Sequence, residues 1–390
     1  MPKPTSDCRA TGRKHLWPMV RLGDVCTIEF GTRVRRKDSQ GGDYPVYGGG
    51  DATFCWSTYN REDQCIVSRF AMSEECVRFV KGKFFLNDSG LSVRSDNQDL
   101  SQTYLDWVLY SKQPEIYALG RGAAQKNLDV EQFVDMMLPL PPLSVQREIV
   151  ARLERELAAV EKMKKGFEAL AETAKAEFKA ELKEVFEEIS RRGAETRRLG
   201  EVCECKKGPF GSALTKSMFV PRSDSAVKVY EQKNAIRKDA TLGSYYITRQ
   251  YFDAKMRPFE VKPADIIISC AGTIGETYIL PLGCEQGVIN QALMRVRTGS
   301  CLDKLFFLYF FETILNAVND SSNGSAMKNI PPFKIFKAFE IPLPPLAAQR
   351  EVVSRLDAAK ARAEKLETKA REGVAVCEAM RKAILKEAFE

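Results

Sequence analysis

Apolar residues recur every three or four positions through two long proline-free stretches, and this is the strongest pattern in the chain. In the later stretch a 4-3-4-3 spacing runs through Val352, Leu356, Ala359, Ala363, Leu366, Ala370, Gly373, Cys377, Met380 and Ile384. The earlier one carries Val150, Leu153, Leu157, Val160, Phe167, Ala171, Ala174, Phe178 and Val185. These are heptad seams and predict two long helices, over 143–192 and 346–390, whose many alanines suit close helix–helix contact. Each begins behind a proline pair, Pro141-Pro142 or Pro344-Pro345. Proline propagates neither a ladder nor a helix interior, so each pair stops the element before it. Neither helix buries its stripe alone, so the two are expected to pack on each other.

Elsewhere the pattern is shorter. Cys65-Ile-Val-Ser68 and Asp265-Ile-Ile-Ile-Ser269 predict strands. Residues 106–110 and 302–315 read as helical, and Leu305-Phe-Phe-Leu-Tyr-Phe-Phe311 is buried core, far short of the roughly 20 residues a membrane-spanning helix needs. The text around Gly41-Gly-Asp43, Tyr47-Gly-Gly-Gly50 and Gly208-Pro-Phe-Gly211 belongs to loops and hairpins. Gly272-Thr-Ile-Gly275 reads as a hairpin turn.

The long stretches are copies of each other. Leu138-Pro-Leu-Pro-Pro-Leu-Ser-Val-Gln-Arg-Glu-Ile-Val-Ala-Arg-Leu153 returns 203 residues later as Ile341-Pro-Leu-Pro-Pro-Leu-Ala-Ala-Gln-Arg-Glu-Val-Val-Ser-Arg-Leu356, with 11 of 16 positions identical. The segments in front also begin alike. Arg21-Leu-Gly-Asp-Val-Cys26 matches Arg198-Leu-Gly-Glu-Val-Cys203 at an offset of 177, which has grown to 203 by Asn87 and Asn290. About 26 extra residues therefore enter the second segment, mostly between Cys203 and Ile267. A repeat must be found before the fold is assigned. The short link from Ser190 to Arg197 then requires antiparallel helices. The expected fold is α+β: a tail over 1–16, mixed α/β domains over 17–142 and 193–345, and a coiled-coil spacer of two long antiparallel helices, related by a pseudo-two-fold internal repeat.

Charge changes the picture modestly. The chain carries a net +7. Residues 1–142 are neutral, whereas 191–345 hold 22 basic and 15 acidic groups. That excess favours a polyanionic partner. The single histidine, His15, lies in the polar tail, so triad, zinc-cluster and histidine-shuttle chemistries lose their base or ligand. Eleven cysteines without a Cys-x-x-Cys pair suggest reduced thiols in a cytoplasm. The N-terminal residues have no apolar core and are not read as a secretory signal. No metal site and no catalytic residue is expected.

Candidate binding residues follow from basic and amide side chains on loops. Arg33, Arg35, Arg36 and Lys37 form the dense basic cluster of the first domain, with Arg69 in a further loop. Gly122-Ala-Ala-Gln-Lys-Asn-Leu128 parallels Gly324-Ser-Ala-Met-Lys-Asn-Ile330, which offers Gln125, Lys126, Asn127, Lys328 and Asn329. The second domain adds Lys206, Lys207, Lys228, Gln232, Lys233 and Asn234 beside Tyr230. Lysine and arginine hold phosphates, arginine reads guanine, and asparagine or glutamine pairs with adenine in the major groove. Solvated charged loops and simple turns are the competing readings. Asn329-Ile-Pro-Pro-Phe333 lacks the unbroken Asn-Pro-Pro-aromatic loop of amino-methyltransferases, and Gly208-Pro-Phe-Gly-Ser-Ala-Leu-Thr-Lys-Ser217 lacks phosphate-loop spacing.

The Pro-Leu-Pro-Pro-Leu-x-x-Gln-Arg-Glu repeat followed by a long helix resembles the specificity subunit of type I restriction-modification systems. Asp265-Ile-Ile-Ile-Ser-Cys-Ala-Gly-Thr-Ile-Gly-Glu-Thr-Tyr278 and Ile289-Asn-Gln-Ala-Leu293 look like that family's target recognition domains. The first domain departs more, with Phe70-Ala-Met-Ser73 where the second has Gly272-Thr-Ile-Gly275. The resemblance implies two target recognition domains, each reading one half of a bipartite asymmetric sequence in double-stranded DNA. It implies a non-catalytic, cytoplasmic chain whose helices dock two modification (methyltransferase) subunits. Gln146, Arg147, Glu148, Gln349, Arg350 and Glu351 in the repeated motif are the candidate contacts. S-adenosylmethionine, ATP and Mg would sit in partner subunits, restriction (endonuclease/translocase) subunits included, and none in this chain. The specificity subunit of a related type II restriction-methylation enzyme, a single-chain methyltransferase or nuclease, and a coiled-coil adaptor with no DNA role are the alternatives.

Overall fold

The computed structural model describes residues 17–123, 125–321 and 333–389. The chain divides into two compact units, Met1–Glu168 with Arg371–Glu390, and Ala169–Ala370. The two long helices run Leu143–Arg191 and Leu346–Phe389, so each contributes one part to each unit.

The first unit holds a six-stranded sheet in the order Cys26–Phe30, Gly90–Ser95, Arg61–Ser68, Val77–Leu86, Tyr44–Tyr47, Cys55–Trp56. All neighbours are antiparallel except Tyr44–Tyr47 and Val77–Leu86, which run parallel. Strand period decides the packing, because successive side chains take opposite faces. Cys65 and Val67 enter a core with Leu91, Tyr104, Leu105 and Val108, built against helix Gln102–Ser111. Ile66, between them, joins Val80, Phe84 and Leu86 instead.

The second unit repeats this logic. One antiparallel sheet orders Cys203–Lys207, Leu293–Thr298, Ile266–Ser269 and Thr277–Ile279, and Gly272 to Gly275 joins the last two as a hairpin. Ile266 and Ile268 face Phe306, Phe307 and Phe311 of helix Lys304–Ser321, while Ile267 packs with Tyr230 and Ile289. An unbroken Ile-Ile-Ile run is the signature of a strand buried on both faces. A second four-stranded sheet orders Tyr246–Ile247, Val227–Tyr230, Gly287–Ile289 and Glu260–Val261.

Strand registers carry the internal repeat. Cys26 pairs with Ser95, and Cys203 with Thr298. The parallel pair Tyr47–Leu86 recurs as Tyr230–Ile289, and Val67–Leu91 as Ile268–Met294. The offset thus grows from 177 through 183 and 201 to 203, which places most of the added residues between Tyr230 and Ile268, around helix Gln232–Arg237 and strands Tyr246–Ile247 and Glu260–Val261. Each unit is closed by a short antiparallel ladder between its first and last strands. Met19–Arg21 pairs with Met137–Pro139, and Thr196–Arg198 with Glu340–Pro342.

Helix contacts are antiparallel within each unit. In the first, Lys164 Nζ meets Glu378 at 3.1 Å, and Phe167 lies against Gly373, where an added Cβ would fall 2.5 Å from its ring. In the second, Glu188 and Glu181 bind Arg355, and Glu181 also binds Arg362. Leu153, Val160, Ala174, Leu356, Ala359, Ala363, Ala370 and Cys377 are buried as the seam requires. Met380 is not: it is 40% exposed, so the heptad loosens there.

Candidate nucleic-acid interface

A backbone junction at one edge of the first unit's sheet gathers most of its candidate residues. Gly31 donates its N–H to Gly90 O at 3.1 Å and Thr32 donates to Leu86 O at 2.9 Å. Gly31 must be glycine, since a Cβ would sit 2.0 Å from Asn87 O. The Asn87 side chain then ties in the basic loop, accepting from Val34 N–H at 3.4 Å and donating to Val34 O at 3.1 Å. Arg69 and Phe70 both donate their backbone N–H to Ser89 O, and Gly49 passes 2.4 Å from Phe70 O on the same Cβ test. Met72 N–H donates to Lys126 O.

On this junction Arg33, Arg35, Arg36 and Lys37 are all exposed. Arg35 pairs with Asp38 at 3.1 Å and Arg33 reaches Asp88 at 4.0 Å, solvated contacts worth little each. Arg69 lies over two rings, 4.8 Å from the Phe30 centroid and 4.6 Å from that of Phe70. Lys126 covers Tyr117 at 4.0 Å, and Gln125 is exposed. Asn127 is exposed, but its side-chain oxygen accepts the N–H of Ala71 at 3.3 Å, which supports a residue held at φ 50°. The junction thus brings the basic loop, Arg69 and the loop of Gln125 to Asn127 to one place, with Phe30 and Phe70 beside them. Sequence reading missed both because neither is basic and they lie 40 residues apart.

The second unit repeats the junction with other side chains. A Cβ on Gly208 would fall 1.8 Å from Asn290 O, the counterpart of Gly31 and Asn87. Lys207 takes the place of Phe30, exposed at the end of the strand. It lies near Cys270, whose thiol is pushed up to about 11 by burial, with Lys207 opposing the shift. Lys206 lies over Phe259 at 4.9 Å, and Phe210, 90% exposed in the Gly208-to-Gly211 turn, is an apolar tip that turn-reading alone did not single out. Lys233 is exposed and pairs with Glu231 at 2.7 Å.

Three expectations for the second unit change. Lys228 is buried, with Nζ donating to Thr241 O at 3.0 Å and pairing with Glu285 at 3.4 Å, so it cannot reach a duplex. Asn234 is fully buried. It donates to Asp239 O and Leu242 O and accepts Glu231 N–H, capping helix Gln232–Arg237 rather than facing a base. Gln232 keeps partial exposure, yet its amide is used on Ala271 O and Thr273 O, holding the 272–275 hairpin. Lys328 and Asn329 lie outside the described residues.

The helix-start motif also divides. Gln146 is fully buried; its amide N–H groups donate to Asp99 O at 2.6 Å and Pro141 O at 2.8 Å, and its oxygen accepts Ser101 N–H at 2.8 Å. Gln349 repeats the three bonds with Cys301 O, Pro344 O and Asp303 N–H. Both glutamines are internal latches, not docking contacts, because every polar atom is already used. Arg147, Glu148, Arg350 and Glu351 are exposed. Glu351 borders a cleft of about 870 Å³ in the second unit, with Val185, Ile189, Pro344 and Val352 among its walls. Among the described residues no group of three or more His, Cys, Asp or Glu side chains is placed to hold a metal ion, and no helix is long and apolar enough to cross a membrane.

Comparison with known proteins agrees with this layout. The type I restriction modification DNA specificity domain matches twice, over residues 14–166 and 191–374. The specificity subunit of the type I restriction enzyme MjaX from Methanocaldococcus jannaschii is 26% identical over 288 residues. That alignment covers 71% of this chain and 66% of the relative, just short of two thirds of its length. A chain solved in work on complex assembly and conformational transition of the type I R-M system superposes with a TM-score of 0.72 at 20% identity, over 97% of this chain and 99% of its own. The HsdS subunit from Thermoanaerobacter tengcongensis gives 0.54 at 20% identity, covering 96% of each chain. With two matched segments spanning most of its length, each holding the same glycine–asparagine junction, the chain belongs to the type I restriction-modification DNA specificity family.

Proposed function

We propose that each unit reads one half of a bipartite, asymmetric DNA target and that the chain does no chemistry itself. The observation that carries this reading is a shared scaffold with unlike surfaces. The Gly31–Asn87 and Gly208–Asn290 junctions are equivalent, yet Phe30, Arg69 and Phe70 surround one where Lys207, Cys270 and Ala271 surround the other. Identical frames with different side chains at their rims suit two different half-sites, since base contacts specify and phosphate contacts position. The exposed Arg33, Arg35, Arg36 and Lys37 serve the second purpose.

The repeated helices, with Arg147, Glu148, Arg350 and Glu351 exposed at their starts, dock two modification subunits. Those subunits bind S-adenosylmethionine and methylate adenine, and restriction subunits bring ATP- and Mg-dependent translocation and cleavage. This chain carries no cofactor and works in the cytoplasm. The test is to map methylated adenines in DNA from cells carrying the chain with its partners. A split motif is expected, and exchanging residues 200–337 with those of a relative should alter one half and leave the other unchanged. A continuous motif, or one in which both halves change together, overturns the proposal.

A further inference from the structure

We propose that Arg69 is a guanine-reading residue of the first unit, its guanidinium set in place by Phe30 and Phe70 before DNA arrives. The inference rests on the DNA-reading role proposed above and deepens it. Three observations combine. The guanidinium carbon lies over both rings, at 4.8 and 4.6 Å, so flat aromatic surface supports the group. Among the described residues its side-chain N–H groups donate to no carbonyl and no side chain, whereas neighbouring Arg61 and Arg94 are used on Ser92, Glu29 and Asp96. The backbone is fixed on both sides, with Arg69 N–H on Ser89 O and Arg69 O accepting from Leu128 N–H at 2.8 Å.

An arginine with supported faces and free edges retains what bidentate recognition needs. Its planar fork matches the O6 and N7 acceptors of guanine in the major groove, and little rotamer freedom is left to lose on binding. Phe30 and Phe70 are 46% and 37% exposed, which no core requires and which a stacking platform explains. A phosphate would accept the same donors, but Arg33, Arg35, Arg36 and Lys37 already supply unstacked charge around the same junction. The equivalent place in the second unit has lost the device: Cys270 and Ala271 replace Arg69 and Phe70. A residue serving the frame would be needed in both copies, and a reader of one half-site would not.

The test uses the full complex of the chain with its modification subunits. The wild-type motif is mapped first from methylated genomic DNA, and binding is then measured to duplexes carrying 7-deazaguanine at one half-site guanine at a time. Wild-type affinity should fall about 2- to 10-fold at a single guanine of one half-site, the cost of losing one of the two bonds of a bidentate pair. Inosine at that position, which keeps O6 and N7, should bind normally. Arg69→Ala and Arg69→Gln should lose the sensitivity to 7-deazaguanine and relax the methylated motif at that position alone. Phe30→Leu should weaken the discrimination without abolishing it. Equal loss of affinity for all duplexes on Arg69→Ala, including unrelated ones, identifies a phosphate contact and overturns the inference. So does an unchanged motif in a folded Arg69→Gln complex. Absence of any split motif for the wild type would instead remove the half-site proposal, a distinct failure.

Discussion

Single residues in this chain divide by what surrounds them rather than by their chemistry. Lys228 and Lys233 lie five positions apart, and one is sealed against Glu285 while the other faces solvent. No local pattern announces this, because Glu285 comes 57 residues later. The exposed Arg33, Arg35, Arg36 and Lys37 were legible, since four basic side chains in five positions cannot all be buried. Asp106 adds a second hidden case. Burial pushes its carboxyl up to about 6, against the opposing hydrogen bond from Gln102. In the unfolded chain it ionises near ~3.9, so between about pH 4 and 6 the unfolded state releases its proton first and gains on the native state. The cost is absent below both values and complete above 6. Asp106→Asn keeps an oxygen toward Gln102 and removes the charge. Denaturant melts should show it more stable than the parent by up to about 3 kcal/mol at pH 7.5, with the gap closing by pH 4.

At the level of elements, sequence and structure agree where a pattern is long. The heptads and proline pairs fix the starts of both helices at Leu143 and Leu346. The Ile-Ile-Ile run marks a doubly buried strand. What the pattern hides is the reason Gln-Arg-Glu recurs. It reads as one docking motif, but its first residue points inward to join the proline turn, the loop before the domain helix and the long helix itself. Gln146→Ala and Gln349→Ala each leave three backbone groups without partners. Each should destabilise the chain by about 2–3 kcal/mol in chemical denaturation. Arg147→Ala and Glu148→Ala should stay within about 0.5 kcal/mol of the parent and, on the docking role proposed above, weaken capture of modification subunits in a pull-down. Unchanged stability in both glutamine variants would defeat the latch assignment.

Across the whole molecule the internal repeat was readable from two sequence offsets, and strand registers follow them through three length changes. The surfaces that differ between copies were less readable, because Phe30, Arg69 and Phe70 meet only through the sheet. The charge expectation belongs at this scale too. If the basic loop of the first unit holds phosphates, the Arg33→Ala/Arg36→Ala chain should bind DNA with a flatter dependence of log K on log salt. The slope should fall by about 0.9 for each phosphate that is no longer neutralised, with the methylated motif unchanged. Titration at several salt concentrations measures it, and a shifted motif with an unaltered slope would contradict a positioning role.

The short ladders Met19–Arg21 with Met137–Pro139 and Thr196–Arg198 with Glu340–Pro342 have a further consequence. Paired strands lie about 4.8 Å apart, so the chain departs into each recognition surface and returns at nearly one point. Whatever is threaded between those two stitches leaves the stem below it undisturbed. On the half-site reading proposed above, genetic exchange of the enclosed segment would give a lineage a new target and leave the long helices as they were.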